Sequence, residues 1–499
     1  MRAVAHAGGL FGVDAFPVQV EVLLGKGLPS FELVGMPERE VKESRVRVKA
    51  ALESCSIALP SRPVVVNLAP GDLRKTGASF DLAIALAIVA AAGGLLAEKL
   101  TDYLILGELG LGGELRAIRG VLPQLRAAKR EGITRAIIPR ANAAEAALSL
   151  GLEIYVADHL DEVIAALRGE GTLRSAVGLD LGEQESGRVW ELDLSEIRGQ
   201  EAAKRALEIA AAGGHNVLFV GSPGAGKTML ARRLPSILPP LSVEEAIEVA
   251  TIHSAAGLPI PSRLEGMQRP FRAPHSSASA SALIGGGDPI RPGEVTLAHG
   301  GVLFLDELPE FRRDALESMR QTMEDGFVSI ARVNQRVTMP ASPLVVAAMN
   351  PCPCGFAGDR KRECSGCPTK AERYKARVSG PLLDRFDMQL GVSRIEPREL
   401  RSIEPAERSD VVRERVIRAR ALLAEDVPST LEELEARAER SALILLDRAV
   451  DRLGLSARAY AKILRVGRSA AALRGSAIIS EREIAEALLH RLFDRIREG

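Results

Sequence analysis

GSPGAGKT, residues Gly221 to Thr228, stands between the apolar run NVLFV and the start of MLARRL. Glycines at this spacing let successive backbone N–H groups turn toward one point. A helix starting there adds the positive end of its dipole, so the loop suits phosphate oxygens. Gly221, Ser222, Pro223, Gly224, Ala225 and Gly226 supply the cradle, Lys227 a point charge for the outer phosphates, and Thr228 a hydroxyl for Mg²⁺. A chance Gly-rich turn is the bland alternative, and it does not account for every fixed position falling between a strand and a helix. A Mg²⁺-nucleotide site also needs a carboxylate at the end of a neighbouring strand. GGVLFLDE offers Asp306 to hold the metal through water and Glu307 to orient and deprotonate the attacking water. The cofactors expected are therefore ATP and Mg²⁺.

Three further groups bear chemistry. PLVVAAMN ends in Asn350, an amide placed either to hold a water or γ-phosphate, or simply to end a strand. SGPLLDRFDMQL presents Arg385, suited to transition-state charge and often supplied in trans, or else paired with Asp384 or Asp387. Four of the five cysteines crowd one loop: Cys352, Cys354, Cys364 and Cys367 form a CxC and a CxxC pair. Four thiolates suit a closed, structural tetrahedral Zn²⁺ site, against reduced thiols or two disulfides as alternatives. Cys55 stands alone in sequence. VSIARVNQRVT alternates, turns at Val333–Asn334, and carries Arg332 and Arg336 beside its tip, for phosphate contacts or for plain solvation. No aromatic residue lies at that tip, which favours backbone tracking over base stacking.

Positioning these groups takes more than one domain, and 499 residues are too many for a single core. Residues 1 to about 168 read as mixed α and β, with strands in FPVQVEV, RPVVVNLAP and DYLILGEL and helices over Asp81–Ala92 and Val121–Arg130. GEGTLRSAVGLDLGEQESG reads as a linker. From EAAKRALEIAAAGGH to about Val392, strands and helices alternate as in a parallel sheet covered by helices. The last hundred residues, including LLDRAVDRL and EREIAEALLHRLFDRI, read as helices alone.

Composition excludes little. Lys+Arg (65) balance Asp+Glu (65), so any nucleic-acid surface must be local. The apolar run Leu82–Ala97 falls short of a membrane span, and the N-terminus does not read as a signal peptide. The expected setting is the cytoplasm, with no membrane partner.

The order P-loop, DE strand, strand-end Asn and LLDRFD resembles an AAA+ ATPase. FRAPHSSASASALIGGG is similar to a helix-2 insert region and FVSIARVNQRVTMPA to a pre-sensor-1 hairpin. Further motifs extend the likeness along nearly the whole chain: VGMPEREVKESRVRVKAAL, VNLAPGDLRKTGASFDLAIAL, RPGEVTLAHGGVLFLDELPEF, NPCPCG and LSARAYAKILRVGR. Together they resemble the YifB/ComM family of magnesium-chelatase-like proteins. The resemblance implies a Lon-protease-like (ribosomal S5-type) α+β domain over 1–168, a linker over 169–190 and an AAA+ core over 191–395 with the cysteine-rich loop 352–367. A helical lid over 396–499 would carry a sensor-2 segment, with Arg458 as its phosphate-sensing arginine. It also implies a hexameric ring helicase that drives branch migration of DNA, branched or single-stranded, during natural transformation. LRKTG before Ser79, CSGC in the second cysteine pair, and a shortened stretch from Ser402 to Ser441 depart from the family pattern.

Two other functions compete. KTGASFD is similar to the Lon segment that carries the nucleophilic serine, and Ser79 falls on that position. The matching segment places Leu122 where a lysine base is required, and Lys129 lies two helical turns on, so the catalytic dyad is missing. A metal-insertion motor like the chelatase ATPase subunit would resemble residues 195 to 499 only, without the N-terminal domain or the CPCG loop.

Overall fold

The computed structural model describes residues 2–149, 151–176, 192–332, 335–357, 364, 368–395 and 406–491. Its first part is built on β1 (Arg2–Phe11), β2 (Asp14–Leu24), β3 (Phe31–Val34), β4 (Val64–Ala69) and β5 (Tyr103–Ile105). A separate two-stranded ladder follows, β6 (Glu108–Leu109) with β7 (Leu115–Arg116), and then β8 (Arg135–Pro139), β9 (Glu153–Ala157) and β10 (Arg174–Ser175). The sheet order is β10-β9-β8-β5-β1-β2-β4-β3, with antiparallel pairs around β1 and β2 and parallel pairs at β5, β8 and β9. The fully buried helix Asp81–Ala91 packs on it, apolar on all sides as a helix enclosed by neighbours must be.

Two sequence expectations change here, and β1 is a strand the sequence patterns did not name. β1 pairs with β2 over ten residues, although Gly8 and Gly9 interrupt its apolar pattern. A side chain at Gly8 would meet the Gln124 amide oxygen at 2.7 Å, and one at Gly9 the Phe16 ring at 2.5 Å, so close packing demands these glycines. DYLILGEL is not one strand. At Gly107 the backbone leaves the sheet, giving its N–H to Ser79 O at 3.0 Å and its carbonyl to the Leu82 N–H at 3.1 Å. The stretch read as the head of a linker returns as β10 to the sheet edge; residues 177–191, which include most of that stretch, lie outside the described residues.

The second part holds β11 (Val217–Val220), β12 (Phe271–Arg272), the short ladder of β13 (Gly285–Gly286) with β14 (Arg291–Pro292), and β15 (Val302–Leu305). After the hairpin of β16 (Phe327–Arg332) and β17 (Gln335–Pro340) come β18 (Leu344–Met349) and β19 (Met388–Gly391). Five strands form an all-parallel sheet in the order β12-β15-β18-β11-β19. Every residue of β11, β15 and β18 is buried, as expected for strands covered on both faces. Beyond it the described chain is helical over Ser409–Glu425, Leu431–Glu435, Arg440–Leu453, Ala457–Leu473 and Glu481–Leu489. These helices share a core with the Glu201–Gly213 helix, and Arg205–Glu486 and Arg415–Glu208 ion pairs at 2.9 and 2.6 Å tie them to it.

The two parts interlock. Val13, in the β1–β2 turn, belongs to the same buried cluster as Val337 and Met339 of the hairpin. Gly12 sits there at φ +66°, and a side chain at it would meet Val337 Cγ1 at 2.5 Å. Gly120 N–H donates to Ser254 O at 3.0 Å, and the buried Glu145 carboxylate accepts from Leu122 N–H at 2.7 Å and from the Ser254 hydroxyl. Burial raises the Glu145 pKa against those hydrogen bonds.

Candidate active site

In an open parallel sheet, ligands bind beyond the carboxyl ends of the strands. β11, β18 and β15 lie side by side, and each ends in one of the groups singled out above. After β11 the chain enters Gly221–Gly226, with Gly224 and Gly226 at φ +76° and +92°, and Lys227 opens the Lys227–Ile237 helix. After β15 come Asp306 and Glu307, and after β18 comes Asn350. The loop and these three residues line one cavity of ≈ 420 Å³. Hollows of ≈ 830 and ≈ 800 Å³ lie elsewhere, without a glycine cradle at a helix N-terminus.

The groups are already in contact. Lys227 Nζ donates to Gly221 O at 2.6 Å, Ser222 O at 3.1 Å and Asn350 Oδ1 at 3.2 Å. Burial lowers the pKa of this ammonium, while Asp306 and Glu307 pull it back up. Thr228 Oγ1 donates to Asp306 Oδ2 at 2.8 Å, so hydroxyl and carboxylate meet where a divalent cation bridges them in P-loop sites. Glu307 is exposed and left-handed at φ +53°, and its N–H donates to Asp306 Oδ1 at 2.9 Å. That conformation costs a non-glycine residue energy, and Glu307 lines the same cavity as Asp306. Charge, donors and cradle fit a nucleoside triphosphate with Mg²⁺.

Sequence reasoning missed two supports. Gln200, left-handed at φ +60°, donates from Nε2 to Ala225 O at 3.2 Å and Ser393 O at 2.6 Å, clamping the loop to the segment after β19. Gly355, in the cysteine loop, lies against the P-loop: a side chain there would fall 2.4 Å from Pro223 Cδ and 3.8 Å from Asn350 Cγ. The glycine of CPCG was the available signal, since its φ of +82° belongs to a residue that must be glycine.

Cys352, Cys354 and Cys364 converge, with Sγ–Sγ distances of 3.3, 3.9 and 3.5 Å. Thiolates on a tetrahedral Zn²⁺ stand about 3.8 Å apart, given Zn–S of about 2.3 Å. A disulfide needs about 2.05 Å, so no disulfide joins these three. Cys367 lies outside the described residues. Cys55, alone in sequence, is not alone in space: it clusters with His159 and Asp161. His159 already caps a helix through Asp161 N–H and bonds Gly112 O at 2.9 Å, a structural role.

The remaining predicted residues lie apart from this cavity. Arg385 is 9% exposed and pairs with Glu324, not with Asp384 or Asp387. Those two instead hold Lys462, through the Asp384 carbonyl at 2.6 Å and the Asp387 carboxylate at 2.9 Å. Arg458 is exposed near the start of the Ala457–Leu473 helix. Arg336 is exposed on β17, its Nε 3.2 Å from Ser329 Oγ; the Arg332 side chain is outside the described set, though its backbone pairs with Gln335 beside the turn. Ser79 is buried, and its hydroxyl donates to Gly8 O at 3.5 Å. Leu122 is fully buried. Among the described residues no helix is long and apolar enough to cross a membrane.

Comparison with known proteins agrees along the whole length. The profile described as Subunit ChlI of Mg-chelatase matches residues 20–142. Magnesium chelatase, subunit ChlI, matches 193–400, and its C-terminal counterpart matches 406–491. The chain is 41% identical to YifB of Escherichia coli over 502 residues, covering 99% of this chain and 98% of that one. It is 42% identical to the competence protein ComM of Haemophilus influenzae over 505 residues, with the same coverage. A shorter stretch of 170 residues, 32% of this chain and 26% of the relative, is 29% identical to an archaeal Lon protease of Methanocaldococcus jannaschii. With full-length identity at this level and an AAA+-type nucleotide site at the sheet's carboxyl edge, the chain belongs to the YifB/ComM family of magnesium-chelatase-like AAA+ proteins.

Proposed function

We propose that this protein is an ATP-hydrolysing ring motor that acts on DNA, a helicase of branch migration serving recombination of incoming strands in natural transformation. The observation that carries the ATPase reading is the meeting of Lys227, Thr228, Asp306 and Asn350 beyond three adjacent parallel strands. Lys227 and the loop amides hold the phosphates, Thr228 and Asp306 hold Mg²⁺, Asn350 steadies the γ-phosphate or water, and Glu307 takes the water's proton. Arg385 completes a neighbouring subunit's site, after exchanging Glu324 for phosphate, and Arg458 senses the nucleotide from the helical lid. A hexamer is the working form. In this reading the Lon-like part, which β10 extends past residue 168, is non-catalytic because Leu122 stands where Ser79 would need its base.

DNA is the client on two supports. The exposed arginine-bearing hairpin rises beside the ATPase sheet, and the full-length relative ComM is named a competence protein. A four-way junction tests it directly: the protein with ATP should resolve the junction, and Glu307→Gln should not. A second reading, a chelatase-like ATPase remodelling a protein partner, draws on the family descriptions matched by the chain. Under that reading the junction stays intact with the parental protein.

A further inference from the structure

A further cavity, of ≈ 500 Å³, lies where the first part of the chain meets β14 and the residues just before it. The β1–β2 turn, the loop around Ser79 and the β13–β14 ladder all contribute to its walls. None of the P-loop residues does. Its charges are unevenly matched. Arg47 Nε sits 2.5 Å from the buried Asp81 carboxylate, and Glu43 pairs with Arg39 at 3.3 Å. Glu108 faces Arg116 at 4.0 Å, and the exposed Glu40 accepts from Gly77 N–H at 3.1 Å.

Two lining cations remain. The guanidinium groups of Arg119 and Arg291 have no hydrogen bond or ion pair among the described residues. Arg119 is half-buried, held in place where a side chain at Gly257 would meet its Cδ at 2.8 Å. Burial and the neighbouring Arg291 charge both push its pKa down, with Glu40 the weaker counterweight. Two guanidinium groups that repel each other across a cavity, each with a full set of unused donors, are stabilised by an anion between them. A single carboxylate is satisfied by one arginine; a phosphate dianion has oxygens for both. The cavity volume and the apolar walls at Leu10, Ile118 and Ile290 leave room for an organic group beyond the phosphate.

We propose that this cavity binds a small phosphate ester, its phosphate held between Arg119 and Arg291 and the Ser79 hydroxyl lining the same space. Leu10 and Gly12 also line it, and Gly12 abuts Val337, which pairs with Ile330 midway along the hairpin. A ligand there rests on the turn that supports the hairpin.

The test uses the full-length protein with a non-hydrolysable ATP analogue saturating the P-loop. Calorimetric titration with ribose 5-phosphate should show about one site per chain, ribose alone none, and inorganic phosphate weaker binding. Arg119→Gln and Arg291→Gln should each weaken ribose 5-phosphate binding at least about tenfold, the loss of a charge-assisted hydrogen bond. No binding by the parental protein, or unchanged binding in the double variant, would overturn the proposal. Equal affinity for phosphate and its ester would overturn the assignment to an ester. A check free of substitutions labels the parental protein with phenylglyoxal, read by peptide mass spectrometry. Ribose 5-phosphate should protect Arg119 and Arg291 while the exposed Arg62 labels as before; absence of protection contradicts the site.

Discussion

In the proposed mechanism Glu307 is the residue on which the chemistry turns. It is exposed at the cavity and left-handed, its backbone bonded to Asp306 and Glu310 and its carboxylate without a hydrogen bond among the described residues. Glu307→Gln should lower ATP turnover at least about a hundredfold, the scale of general-base catalysis, while nucleotide still binds. Turnover near the parental rate would mean that the DE strand has been misassigned. At the same scale, the proposed ring puts Arg385 in a neighbouring subunit's site. Arg385→Ala and Lys227→Ala chains, each poorly active, should regain part of the activity when mixed, because some interfaces then hold both intact residues. No recovery in rings shown to exchange subunits would place Arg385 outside the neighbour's site. The P-loop and the DE pair were legible in the sequence because their function fixes local spacing. Gln200 and the Glu324 partner of Arg385 were not, since each acts across a separation in the chain that no local pattern records.

Among elements, the cysteine loop and the β16–β17 hairpin extend the site in two directions. The loop presses Gly355 onto Pro223, so a metal clip holding it would also set the P-loop's outer wall. Purified protein should hold about one zinc per chain by elemental analysis, and Cys352→Ser with Cys364→Ser should remove it; protein without stoichiometric metal, prepared free of chelator and oxidant, contradicts the clip. On the hairpin, Arg332→Ala with Arg336→Ala should weaken DNA binding regardless of sequence. The slope of log affinity against log salt should fall by roughly 2, as expected for two lost phosphate contacts on duplex. An unchanged slope would remove those arginines from the DNA path. The pairing of β16 with β17 was legible because residues alternate on either side of Val333–Asn334, which lie outside the described residues. β1 was not, because its glycines answer to Gln124 and Phe16, residues distant in the chain or across the ladder. The break at Gly107 was hidden in the same way by its bonds to Ser79 and Leu82.

At the scale of the whole molecule, the division into a mixed α/β part, a parallel ATPase sheet and a helical end could be read from periodicity. The way the first part seats its β1–β2 turn beneath the hairpin could not, because that contact joins Val13 to Val337 and Met339. In the proposed motor that contact would give the Lon-like part a mechanical place. A motor of this build must couple its nucleotide cycle to its client, and that coupling is the account's central claim. The measurement that tests it is the steady-state ATPase rate of the assembled parental protein with no DNA, with single strands, with duplex and with a four-way junction. The account predicts a rate that rises on DNA, most on the junction, and that loses this rise, but not the basal rate, in the Arg332→Ala/Arg336→Ala variant. A ring that hydrolyses ATP at one rate in all four conditions would contradict it.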